Sequence, residues 1–276
     1  MCSSSAPKLS PEASPSPADR CTAPETANAR LPALFISDLH LSEDAPDTAA
    51  AFIGFMQHRA RKAASLFILG DLFEYWAGDD DLDTPFNRRM CDAIRALADN
   101  GTAVFFMNGN RDLLAGSGFA RASGAALLPD PSIIRFDDAP GSPQVLLSHG
   151  DALCTDDTAY QAYRAQVREP AWQRGFLAQP LAARRAFIES LRQKSEAAKR
   201  EKAMEIMDVN ADAVAGLLRA SAGAVLVHGH THRPARHIHV IDGMQRVRWV
   251  LADWHGAPRW LAFDGQRFTT DADMPN

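Results

Sequence analysis

The sequence predicts an α/β protein, and two observations carry that prediction. Short apolar runs recur along the chain: Ala33-Leu34-Phe35-Ile36, Leu66-Phe67-Ile68-Leu69, Ala103-Val104-Phe105-Phe106, Val145-Leu146-Leu147 and Ala224-Val225-Leu226-Val227. Each is rich in Val, Ile, Leu or Phe and bounded by polar residues or Gly, as strands buried on both faces are. Helical segments separate the first three, at residues 48–63 and 86–99, and Gly101 is placed to stop the second. Further strands at 247–252 and 259–263 follow without a helix between them, so a mixed sheet is expected.

Two segments depart from this rhythm. Seventeen of the first thirty residues are Ala, Pro or Ser, with no aromatic, Val or Ile among them. Such a stretch buries too little apolar surface to offset its ordering entropy, so residues 1–30 are expected to be a disordered leader before a domain at 31–276. It has no apolar core of the kind a secretory signal carries. Residues 158–220 are nearly all helix formers, punctuated by Pro170 and Pro180, and read as an inserted helical lobe. Between Ala159 and Lys202 ten Lys or Arg stand against four Glu, a net of +6, which leaves −5 − 6 = −11 for the rest.

Composition narrows the function classes. No run approaches the ~20 apolar residues of a membrane span. A net charge of −5 argues against general nucleic-acid binding. Cys2, Cys21, Cys91 and Cys154 show no metal or disulfide spacing, which favours a reducing cytosol.

The decisive feature is where the polar residues fall. The five runs end, in order, in Ser37-Asp38-Leu39-His40, Gly70-Asp71, Gly109-Asn110-Arg111-Asp112, His149-Gly150-Asp151 and His228-Gly229-His230-Thr231-His232. Ligands of open α/β sheets bind outside the carboxyl ends of the strands, so these clusters are expected to converge on one rim. Any one of them alone is weak, since Asp caps helices and Gly makes turns. Three histidines in five residues are harder to explain by packing. Converging Asp, Asn and His, with no thiolate, suit Mn²⁺, Fe²⁺ or Zn²⁺ in a dinuclear hydrolase.

This pattern resembles that of the calcineurin-like metallophosphoesterases: D-x-H, G-D, G-N-H/R-D/E, H-G and G-H-x-H, present here from residue 34 to 232. More narrowly, the chain is similar from about residue 33 to 264 to the branch that hydrolyses UDP-2,3-diacylglucosamine in lipid A synthesis. The marks are Gly70 to Trp76, Gly78-Asp79-Asp80, Arg111 after the Asn, Leu153 to Asp157, Ile206 to Asn210, and His228 to Pro234.

The resemblance implies a four-layer sandwich of mixed β-sheets flanked by helices, with the helical lobe capping the site. It implies two Mn²⁺ per chain, one held by Asp38, His40 and His232, the other by Asn110, His149 and His230, with Asp71 bridging. Two such cations clamp the attacking and leaving oxygens of an in-line displacement. Arg111, Asp71 and His149 are then expected in catalysis, the Arg111 fork meeting phosphate oxygens. Substrate contacts are implied at Asn110, Arg111, Asp157, Ser195, Lys199, Lys202 and His230, although Lys199 stands where familiar members carry Asn. From the residues alone, Ser195 and Lys202 read rather as a solvated helix face.

In the lobe, Phe176, Leu177, Leu181, Phe187, Ile188 and Leu191 offer an apolar side for acyl chains, and Arg184, Arg185, Arg192 and Lys194 a cationic one. The expected partners are the glycolipid nucleotide and the inner face of the inner membrane, with no nucleic acid, and the expected state is a monomer. His228 is expected to orient a neighbour or to pack beneath the site rather than to bind metal; His58, His237, His239 and His255 are assigned no role in the site. A soluble-nucleotide phosphoesterase has no use for an apolar, basic insertion. A non-catalytic scaffold should lack one of the seven ligands, all of which are present.

Overall fold

The computed structural model describes residues 24–137, 139, 141–201, 208–221 and 224–273, and leaves undescribed the side chains of 192–201 and 273. Twelve strands are described: β1 (Glu25–Ala29), β2 (Ala33–Ile36), β3 (Ser65–Ile68), β4 (Ala103–Met107), β5 (Ala126–Leu128), β6 (Ser132–Phe136), β7 (Val145–Ser148), β8 (Val225–His228), β9 (Ala235–Ile241), β10 (Met244–Val250), β11 (Leu261–Phe263) and β12 (Phe268–Thr270). The helices are α1 (Pro46–Gln57), α2 (Pro85–Asp99), α3 (Ser117–Ser123), α4 (Thr158–Arg168), α5 (Pro170–Leu177), α6 (Leu181–Glu201) and α7 (Ala211–Ala220).

The strands form two six-stranded mixed sheets, ordered β12-β11-β2-β3-β4-β5 and β1-β6-β7-β8-β10-β9. All four residues of β2, of β3 and of β7 are buried, which is why these strands read as unbroken apolar runs. Alternation divides their side chains between two cores. Phe35 and Phe67 face the second sheet with Val145, Leu147, Val227 and Phe263. Across β2, β3 and β4 the rings stack, Phe35 on Phe67 at 5.1 Å and Phe67 on Phe105 at 4.8 Å. Leu34, Ile36, Leu66 and Ile68 face outward onto α1 and α2, through Phe52, Phe55, Met90 and Ile94. On the far side, Leu146 and Leu226 receive Val214, Leu217 and Leu218 of α7. The result is helix, sheet, sheet, helix.

Three expectations are corrected. The segment expected to be disordered through residue 30 contains β1, which pairs in parallel with β6 from Glu25↔Ser132 to Ala29↔Phe136. Backbone pairing with a covered strand and burial of Ala29 supply what its composition does not; residues 1–23 lie outside the described ones. The helix expected at 48–63 ends at Gln57, and a 3₁₀ turn at Ala60–Lys62 carries Ala60 into the core. The lobe expected to reach 220 is shorter, because α7 packs on the second sheet as part of the body. Only α4, α5 and α6 belong to the insertion among the described residues.

Candidate metal centre

The loops after β2 and β3 run side by side, tied by Asp38 N–H to Gly70 O at 3.1 Å and His40 N–H to Asp71 O at 3.0 Å. They are wound tightly. Asp38, His40, Asp71, His230 and His232 all have positive φ, from 49° to 69°. Non-glycine residues in this region cost about 1–3 kcal/mol each and persist where their surroundings over-determine them, typically at functional sites. Asp242 is the one other such residue among those described, and it makes the β9–β10 turn with Gly243.

The strain aims the side chains at one another. Asp38, His40 and His232 bring their donor atoms within 4.8 Å of one another, and so do Asp71, His149 and His230. His40 Nε2 and His232 Nε2 face each other at 3.4 Å, and His232 Nε2 lies 3.4 Å from Asp38 Oδ1. Asp71 spans the two groups, its Oδ2 4.0 Å from His40 Nε2 and its Oδ1 3.7 Å from His149 Nε2. Asn110 Oδ1 joins the second group, 3.0 Å from His149 Nε2. All seven residues expected as ligands are thus brought together.

Outer partners fix the rings. Nδ1 of His40 lies 2.9 Å from Glu74 Oε2, Nδ1 of His232 3.0 Å from Asp253 Oδ2, and Nδ1 of His149 2.8 Å from Leu69 O. Each contact turns Nε2 inward and sets the tautomer, the arrangement metal-binding histidines require. The Asp112 carboxylate gathers the N–H groups of Gly109 and Leu72 at 2.8 Å each, locking the β3 and β4 loops together.

The residues fit a pair of divalent cations. Oδ2 of Asp38 accepts from Ser37 Oγ at 2.6 Å and from His230 N at 2.9 Å, while buried Oδ1 has no hydrogen-bond donor among the described residues. An orphaned buried carboxylate oxygen facing a histidine nitrogen is what a metal would satisfy. Burial alone would lower the pKa of His149, yet Asp71, Asp151 and Asp38 outweigh it and push it up to about 9. Burial would raise Asp38, but His232, His149 and Ser37 hold it below the usual carboxylate range. At His230 the balance is opposite: burial and the neighbouring His149 charge push its pKa down to about 4.

Other expected residues have mixed outcomes. Arg111 lies at the rim with Nη1 3.4 Å from Glu74 Oε1, and its backbone N–H donates to Asp71 Oδ1 at 2.8 Å. Asp157 caps α4, accepting from Tyr160 N at 3.1 Å. Ser195 and Lys199 lie on α6 where side chains are not described, and Lys202 lies outside the described residues. His228 is buried, its Nδ1 2.9 Å from Gly229 O, and burial with the Arg248 charge pushes its pKa down to about 3.

The cationic side of the lobe needs correction. Arg184 is buried and gives hydrogen bonds to Asp80, Ala77 O and Gln179 O, and Arg185 pairs with Asp81. Both guanidiniums fasten α6 to the loop after β3; that of Arg184 is withdrawn from the surface, that of Arg185 stays 38% exposed, and the side chains of Arg192 and Lys194 lie outside the described ones. The apolar side fares better: Trp172 stacks on Phe176 at 4.9 Å, and with Phe187 they line a cavity of about 410 Å³.

Two contributors, Asp253 and Tyr160, were not singled out from the sequence, and two more, Glu74 and Asp151, stood within its motifs without an assigned role. Glu74 and Asp253 orient ligands, while buried Asp151 accepts from Tyr160 Oη at 3.0 Å and Arg164 Nε at 2.9 Å beneath His149. Tyr160 in turn stacks on His230 at 5.9 Å. Asp253 follows the end of β10, which runs parallel to β8, so the strand-end rule that found the others applies to it too.

The comparisons with known proteins agree with this geometry. The calcineurin-like phosphoesterase family matches residues 31–234. The UDP-2,3-diacylglucosamine hydrolase of Aromatoleum aromaticum is 57% identical over 235 residues, covering 85% of this chain and 94% of that one. Its namesakes in Pseudomonas putida and Bordetella pertussis are 48% and 46% identical, covering 85% and 84% of this chain and 96% and 92% of theirs. A match of that extent, on a chain whose strand ends carry every element of the motif, places this protein in the calcineurin-like phosphoesterase family.

Proposed function

We propose that the protein hydrolyses UDP-2,3-diacylglucosamine in lipid A synthesis. Water attacks the α-phosphorus, the bond from that phosphorus to the bridging oxygen breaks, and UMP and 2,3-diacylglucosamine 1-phosphate leave. The observation that carries this reading is that one chain holds both the two donor groups meeting at Asp71 and an apolar cavity lined by Trp172, Phe176 and Phe187 in its helical lobe. A diphosphate needs the first and acyl chains the second. The names of the relatives point to the same substrate.

Asp38, His40 and His232 would hold one divalent cation and Asn110, His149 and His230 the other, with Asp71 shared; Mn²⁺ suits their oxygen and imidazole donors. Such a pair supplies the charge that polarises phosphoryl oxygens and lowers the pKa of water. The chain's own part is positioning. Arg111 presents a planar fork to the phosphate oxygens, steered by Glu74. Asn110, Asp157, Ser195, Lys199, Lys202 and His230 are assigned to the substrate's polar groups. No described helix is long and apolar enough to cross a membrane; the exposed Leu177 and Phe187 on the lobe favour contact with a bilayer surface.

The test is Mn²⁺-dependent UMP release in ¹⁸O-water, with UDP-N-acetylglucosamine and a generic phosphodiester as controls. Label in UMP, activity confined to the diacylated substrate, and its loss in His232→Ala are expected. Cleavage of the generic diester alone would remove the lipid assignment.

A further inference from the structure

β10 carries a guanidinium into the interior. Arg248 is 7% exposed and forms no ion pair with a carboxylate among the described residues. Its Nη1 lies 3.0 Å from His228 Nε2 and its Nε 3.1 Å from His239 Nε2. Arginine has only hydrogens to give, so both imidazole nitrogens accept and both neutral rings carry their proton on Nδ1. For His228 that proton points at Gly229 O, 2.9 Å away.

The same carbonyl receives Thr231 N–H at 2.9 Å, closing a three-residue turn around His230, whose φ is 69°. Turns of this hand are rare and strained. Gly229 N–H donates to His149 O at 2.9 Å, and His230 N–H to Asp38 Oδ2 at 2.9 Å. The turn that aims His230 and His232 thus hangs on a carbonyl held from behind by His228.

We propose that Arg248 is a positioning residue of the metal centre: by fixing the Nδ1–H tautomer of His228 it pins the Gly229 carbonyl and the turn presenting His230 and His232. The proposal rests on the reading of those two histidines as metal ligands.

The test uses the full chain. Long-range ¹H–¹⁵N spectra of the metal-free protein, with the His228 signals assigned by their loss in His228→Phe, report the tautomer. Equilibrium dialysis reports Mn²⁺ affinity. In wild type His228 Nε2 is expected to lack a proton. Arg248→Met should mix the tautomers and weaken Mn²⁺ binding about 10- to 100-fold, the scale of losses behind metal-binding histidines. His228→Phe should weaken it as much, and adding Arg248→Met to it should cost nothing further. Arg248→Lys, which keeps a donor, should recover part of the loss and replaces Arg248→Met in the cycle where the latter does not fold. An unchanged tautomer in Arg248→Met, Mn²⁺ affinity within twofold of wild type, or additive losses in the double variant would overturn the proposal. Wild type that binds no metal would instead remove the two-metal reading, while the tautomer still reports the grip of Arg248.

Discussion

Glu74 holds the outer nitrogen of His40, with Oε2 2.9 Å from Nδ1. Its other oxygen faces Arg111 Nη1 at 3.4 Å. One carboxylate thus couples a residue of the metal site to the residue expected on the phosphate, so the two are positioned together.

Glu74→Gln should disturb both. An amide that accepts from His40 turns its own N–H groups toward Arg111, which has nothing to accept them with. Mn²⁺ affinity should fall about 10- to 100-fold, and turnover at saturating metal should fall as well because Arg111 loses its guide. Metal titration of UMP release separates the two. Full turnover restored by excess Mn²⁺ would mean that Glu74 serves His40 alone.

The strained loops predict a stability gain on metal binding. A ligand at one hundred times its Kd stabilises the native state by about 2.7 kcal/mol. For a chain of this size each kcal/mol raises Tm by about 2–4 °C. Scanning calorimetry with and without Mn²⁺ should therefore show a rise of about 5–10 °C for one site held that tightly, abolished by chelation. Wild type whose Tm ignores Mn²⁺, beside a His149→Ala variant that behaves identically, would exclude binding at the cluster.

The lobe is tied down by buried Arg184 on exposed Asp80, with Nη1 2.9 Å from Oδ1. Hydrogen bonds from Arg184 hold the Asp80 carboxyl below its ordinary pKa, against a smaller opposing effect of burial. A carboxyl depressed by folding contributes stability above its unfolded pKa and loses it as pH falls through the folded one. Attachment of α6 should therefore be constant near neutrality and weaken below about pH 4, the ordinary carboxylate range. Asp80→Asn should show severalfold faster hydrogen exchange in α6 at pH 7, with no further acid sensitivity there. Exchange unchanged by the substitution would show that Ala77 O and Gln179 O suffice.

Much of this was legible in the sequence because buried strands and their polar ends are local patterns. Asp38, Asp71, Asn110, His149 and His230 each follow a short apolar run, and all meet. What stayed hidden depends on distant pairing. β1 has the composition of a linker and is a strand only because β6 lies beside it. α7 looks like its helical neighbours, and only Leu146 and Leu226 reveal where it packs. Arg184 and Arg185 look like surface cations until Asp80 and Asp81, a hundred residues earlier, are found beneath them. Asp253 was missed because nothing local states that β10 runs parallel to β8.

Gly109→Ala gives a test of Asp71 by volume alone. A Cβ at Gly109 would stand 2.2 Å from Asp71 Oδ1 and 2.4 Å from Asp71 N, and the second of these is backbone that cannot rotate aside. The β3 and β4 loops must therefore separate, carrying Asp71 away from His40 and His149. Displacement of about 1 Å at a reacting centre costs about 10²-fold in rate, so kcat/KM should fall by about that factor, with fewer than two Mn²⁺ per chain by elemental analysis. The control is Gly216→Ala on α7, where a Cβ meets nothing within 4 Å. There the change should leave activity intact and stabilise the helix by about 0.5–1 kcal/mol. Two metals and near-normal activity in Gly109→Ala would show that Asp71 need not stand where these loops place it, and the shared-carboxylate reading would fail.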